Sequence, residues 1–196
     1  MDDAAPEGNA RLTAVTAAVL LVLLAAEGLT LLSLRSFLSW HIAIGMLLVP
    51  VVGLKLATTG YPFVRYYAHD EAYVSAGPPP LLLRLLGPVL VAATAGLFGS
   101  GVALAALGPG TRLLLPLHKA SFVVWFGAMT VHVLGHLARM AGLAGHDFAA
   151  VAREPASRLR LGLVGGAVVA GAILAVATLP LISPWTHWFG AFHGDH

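Results

Sequence analysis

Apolar residues run along this chain in long unbroken stretches and do not alternate with polar ones, a pattern that belongs to helices buried on all sides and not to half-buried strands. Five stretches, about 12–32, 40–59, 86–107, 115–138 and 161–182, each approach the roughly 20 residues an α-helix needs to cross a bilayer's hydrocarbon layer. The pattern predicts an all-α integral membrane bundle of five transmembrane helices, forming one domain over residues 1–196. The connections at about 33–39 and 108–114 are short, so the first four helices should form an antiparallel up-down bundle. The connections at about 60–85 and 139–160 read as longer loops, with Gly77-Pro78-Pro79-Pro80 and Glu154-Pro155 as turn signals. Met1 is followed by Asp2, Asp3 and Glu7 instead of a basic leader, so the first span is expected to be retained.

Composition sharpens this picture. Of 196 residues, 58% are hydrophobic and 10% charged, against roughly 45–50% and 25% in a soluble domain. A fold of this size cannot hide so much apolar surface in its own interior, so lipid must cover much of it. The positions of Lys and Arg set the orientation. With the N-terminus inside, eight lie on the cytoplasmic side (Arg11, Lys55, Arg65, Arg84, Arg139, Arg153, Arg158, Arg160) and three outside (Arg35, Arg112, Lys119). The C-terminus is then outside, in a multi-pass protein of the cell inner or plasma membrane. The basic balance serves topology and headgroup contact, and calls for no nucleic acid.

The absence of Cys excludes disulfides, thiolate zinc sites, iron–sulfur clusters and covalently attached haem. Chemistry rests on 9 His. His69 and His146 fall in the inner connections and His187, His193 and His196 in the outer tail. Ionisable groups inside the spans are costly and are the default functional candidates. They are Glu27 on the first span, His41 and Lys55 on the second, and His118, His132 and His136 on the fourth. His41 and His118 open their spans from the same side and therefore lie at matched depth, as the two axial ligands of a haem b in a helical bundle must. Gly45, one turn below His41, is a candidate for close packing of the macrocycle. His118 and His132 are 14 residues apart, about 40° short of four turns and about 21 Å of rise, so they share a helix face at two depths.

These positions resemble the membrane cytochrome b family, found as the b-type subunit of formate dehydrogenases and nickel–iron hydrogenases, and more broadly the b561-like proteins. The stretches GLKLATTGYPFVRYY, AGPPPLLLRLLGPVLV and LHKASFVVWFGAMTVHVLGHL also resemble uncharacterised actinobacterial integral membrane proteins of similar size. The resemblance implies that His41 and His118 ligate an outer haem iron and His132 an inner one. It further implies electron transfer between the quinone pool and a partner oxidoreductase such as a molybdopterin enzyme. The chain departs from the two-haem pattern, in which a His near the inner end of the first helix supplies the other inner ligand. Thr13, Thr16, Ala17, Ala18 and Val19 stand there instead. Lys55 shares the depth of His132 and could replace that ligand, while His136 could bond a quinone and Glu27 a haem-ligating His or a quinol proton. Two other classes compete. In a small proton-coupled transporter, Glu27, Lys55 and His132 would line a path and Pro50 would break the second helix. In a non-catalytic anchor or assembly protein, the His would be interfacial and the Gly96–Gly101 face would bind partner helices.

Overall fold

The computed structural model describes residues 4–75 and 81–185, and these contain helix and turn but no strand. The elements in chain order are α1 (Ala4–Thr30), a 3-10 turn (Leu31–Ser33), α2 (Leu34–Tyr67), α3 (Glu71–Ser75), α4 (Leu81–Leu107), α5 (Leu114–Ala150), α6 (Pro155–Ala177) and a closing 3-10 turn (Leu179–Ile182). Four helical runs are long and apolar enough to cross a membrane, and the first, Pro6–Tyr67, is 62 residues long. That run folds back at Leu31–Ser33, because the start of α1 meets the end of α2 (Asn9 with Thr58) and the end of α1 meets the start of α2 (Thr30 with His41). The bundle thus holds five helices of crossing length, and each predicted span lies within one of them or its terminal 3-10 turn. Large apolar side chains face outward, among them Val22 and Val123, each 70% exposed, as lipid contact requires.

α1 and α2, and α4 and α5, pair antiparallel, and α1 also packs on α5. α6 lies outside this group of four against α2, where Gly171 sets the approach. A Cβ at that position would fall 2.1 Å from the Leu47 carbonyl oxygen. Only glycine admits so close a contact. The core forms layers along the bundle: Val15, Ala144 and Val164 at one end, Leu20, Leu48 and Val51 in the middle, and Met46, Ala105 and Ala175 at the other.

The expected long loops are largely helical. α2 has 34 residues and α5 has 37, about 51 and 56 Å of helix, so both continue well past the hydrocarbon layer. At the end of α5, Asp147 is fully buried. It accepts hydrogen bonds from the Arg160 guanidinium (Nη2 at 2.8 Å) and from Ser157 Oγ at 3.2 Å, both on α6. Arg11 of α1 donates to His146 at 2.8 Å. His146 is therefore a helical residue in a three-helix polar knot, and the connection shrinks to a few residues. α2 ends in a Schellman cap, with Asp70 N–H on the Arg65 carbonyl at 3.1 Å and His69 N–H on the Tyr66 carbonyl at 3.1 Å. His69 takes φ 60°, the left-handed conformation usually given to glycine.

Proline does not interrupt α2. The helix runs through Pro50 and Pro62, and its one non-helical residue is Phe37. Pro62 cannot donate to the Thr58 carbonyl, and α1 supplies the missing donor through Asn9 Nδ2 at 2.8 Å, with Thr13 Oγ1 at 3.4 Å. Pro50 therefore does not provide the broken helix that a transporter path would use.

Candidate functional site

Four helices converge on His41 and His118. His41 lies one turn beyond the bend of α2 at Phe37, and His118 lies in the first turns of α5. Both fall at the same end of the bundle because α2 and α5 each begin there. Their ring centroids are 6.3 Å apart with planes at 86°.

Each ring is held at Nδ1. For His41 the partners come from α1: Glu27 Oε1 at 2.8 Å and Thr30 Oγ1 at 3.1 Å. The Thr30 hydroxyl donates to the Glu27 carbonyl at 2.6 Å, which turns its lone pair toward the imidazole. For His118 they come from α4: the Leu97 carbonyl at 3.0 Å and Ser100 Oγ at 3.2 Å. The Ser100 hydroxyl donates to the Gly96 carbonyl, so it too accepts from the ring. A carbonyl and an ionised carboxylate accept, so these contacts call for the proton of each ring on Nδ1 and leave Nε2 outside them. Metal-binding imidazoles are held in this way.

The separation of the rings distinguishes geometries. A metal–nitrogen bond of about 2.0 Å and about 1.1 Å from Nε2 to ring centre place two imidazoles about 6.2 Å apart when in line across one ion, but about 5.1 Å apart at a tetrahedral angle. The observed 6.3 Å is the spacing the in-line case needs and exceeds the tetrahedral one. Among the described residues no three His, Asp or Glu are grouped to hold a bare metal ion. Two imidazoles from facing helices, each backed at Nδ1, are a donor set that fits haem b.

Glycine is needed on the α4 side of the site. A Cβ at Gly101 would lie 3.1 Å from His118 Cε1 and one at Gly96 2.6 Å from Ser121 Oγ. Gly96 and Gly101 thus face α5 within the bundle. Gly45 faces α1, where a Cβ would make an ordinary 3.8 Å contact with Glu27 Oε1.

The other candidates lie elsewhere. His132 and His136 touch each other along α5, with centroids 4.7 Å apart and planes at 55°, and the described residues show no facing histidine from another helix. Lys55 donates to the Thr13 carbonyl at 3.1 Å, joining α2 to α1. Trp125 is buried and donates through Nε1 to Thr94 Oγ1 at 3.1 Å. His187, His193 and His196 lie outside the described residues. Thr30, Ser100, Gly101 and the Leu97 carbonyl were not evident from the sequence, since their role arises only when α1 and α4 are set against α2 and α5. The one available signal was their spacing: Thr30 follows Glu27 by one turn, and Ser100 and Gly101 sit in a small-residue stripe.

In comparison with known proteins, no family model matches the chain, and neither a curated protein nor a solved structure matches it.

Proposed function

We propose that this chain is a b-type cytochrome subunit of the plasma membrane, with its N-terminus inside. It would bind one haem b between His41 and His118 near the outer face and pass electrons between the quinone pool and a partner oxidoreductase. The supporting observation is the pair of imidazoles from two helices with ring centroids 6.3 Å apart, both Nδ1 atoms already engaged. When bound, the haem supplies one-electron chemistry at its iron.

The chain's own residues supply the rest. His41 and His118 present their Nε2 lone pairs from two different helices. Glu27 and Thr30 fix the first ring, and Leu97 and Ser100 the second, so both rings would be held in place to receive the haem. Gly101 lets α4 approach closely enough for its carbonyl to reach the ring. The packed layer of Met46, Ala105 and Ala175 closes the side formed by α2, α4 and α6. A partner enzyme on the outer face, such as a molybdopterin oxidoreductase, is the class of protein that would exchange electrons with a haem placed there.

The test is to purify the protein from cells supplied with haem and record reduced-minus-oxidised spectra. A b-type signal is expected, and His41→Ala or His118→Ala should each abolish it. A wild-type protein with no such signal would overturn the proposal and favour a transporter or an anchor.

A further inference from the structure

The two rings of the site are not backed alike. His118 leans on neutral acceptors, the Leu97 carbonyl and the Ser100 hydroxyl. His41 leans on a carboxylate, although Thr30 already provides a neutral acceptor for the same Nδ1. For orientation alone Glu27 is redundant. It is also costly: its Oε2 is buried with no hydrogen-bond partner among the described residues, and such an oxygen keeps its full desolvation penalty. The only basic group within ion-pair distance of Glu27 among the described residues is His41, so its charge acts on that ring. Gly45 leaves room beside it, the nearest approach of a Cβ there being the 3.8 Å to Oε1.

A carboxylate bonded to the far nitrogen of a ligating imidazole pushes electron density onto the metal-binding nitrogen and raises its basicity. A more basic ligand favours the more positive state of the iron. Building on the haem reading above, we propose that Glu27 is a positioning residue that acts through His41 Nδ1 to make one axial ligand electron-rich, lowering the reduction potential of the site. The site is then an asymmetric pair, with α1 setting the potential and α4 only orienting its ring.

The experiment is a redox titration of the purified haem-loaded protein and of Glu27→Gln, Glu27→Asp and Ser100→Ala. Gln keeps an oxygen to accept from Nδ1 but removes the charge, and outer partners of this kind typically carry tenfold effects or more. Glu27→Gln should shift the equilibrium toward the reduced form about tenfold, which is about 59 mV upward for a one-electron couple. Glu27→Asp keeps the charge and should stay closer to wild type. Ser100→Ala leaves the Leu97 carbonyl in place and should shift the equilibrium less than about threefold. If Glu27→Gln binds no haem while Glu27→Asp does, the carboxylate is again the required group. Equal behaviour of the Gln and Asp variants, whether both unshifted or both without haem, overturns the proposal. Wild-type protein without haem overturns instead the reading on which it rests.

Discussion

Adding one methyl group at Gly171 should separate α6 from α2. The Cβ of Gly171→Ala would stand 2.1 Å from the Leu47 carbonyl oxygen, 2.9 Å from its carbon and 3.1 Å from Leu47 Cα. Ordinary contact begins near 3.4 Å, so the helices must part by about 1.3 Å, and because the obstacle is backbone no rotamer change relieves it. A radial gap of 0.5–1 Å already forfeits a quarter to a half of each dispersion contact across an interface. The contacts at risk are those of Leu48 and Val51 with Ala167 and Val168, and of Met46 with Ala175. The expected cost is at the upper end of the overpacking range, about 3 kcal/mol. At about 2–4 °C per kcal/mol for a chain of this length, the melting temperature in detergent should fall by about 6–12 °C. Gly165→Ala is the control. It lies on the same helix with nothing within 4 Å of its added Cβ, and should be neutral or gain up to about 1 kcal/mol from helix propensity. A Gly171→Ala protein melting within about 2 °C of wild type would refute the close approach.

Asn9→Leu should cost about 1 kcal/mol by leaving the Thr58 carbonyl with only the long contact to Thr13 Oγ1, and Pro62→Ala, which restores a backbone donor, should recover that cost in a double-mutant cycle. The Arg160 guanidinium beside Asp147 holds its carboxyl below the usual carboxylate range. The stability it contributes is therefore complete above the ordinary value near 4 and lost as pH falls through the lowered one. Thermal melts between about pH 7 and pH 3 should show this loss. Asp147→Asn should flatten it while costing about 3–5 kcal/mol at neutral pH through the unpaired Arg160. His69→Gly relieves the positive φ at the end of α2 and should stabilise by about 1 kcal/mol in the same assay. His132→Ala should leave haem content unchanged at one per chain, because its ring partner is His136 of the same helix; loss of haem in this variant would point to a second site.

The spans were legible because bilayer thickness fixes helix length, and the matched depth of His41 and His118 because helical rise turns residue number into height. Rotation about the helix axis was not legible. The spans are apolar all round, so no polar face shows which side of α4 meets α5. The Leu97 carbonyl and Gly101 could therefore not be assigned in advance, and the Gly96–Gly101 stripe read equally well as a surface for a partner. The charged end was misjudged for a related reason. Asp147 and Arg160 are 13 residues apart on either side of a Glu-Pro turn, and a buried pair of that kind is indistinguishable in sequence from two solvated loop charges. Glu27 was legible as costly, with a histidine or a quinol as its expected partner, and the packing of α1 on α2 sets it against His41.

The Asn9 contact with Thr58 also dictates how the molecule can be made. A second helix inserted alone would carry, at the end of its span, a carbonyl that its own Pro62 cannot satisfy, and a backbone carbonyl left without a donor costs about 1–3 kcal/mol. The donor sits at the start of α1, which leaves the ribosome first. Biogenesis therefore favours delivery of α1 and α2 as one hairpin, with its open end sealed by Asn9 before the later helices arrive. The same hairpin already joins Glu27 and Thr30 to His41, so that ring is oriented before α5 has been synthesised.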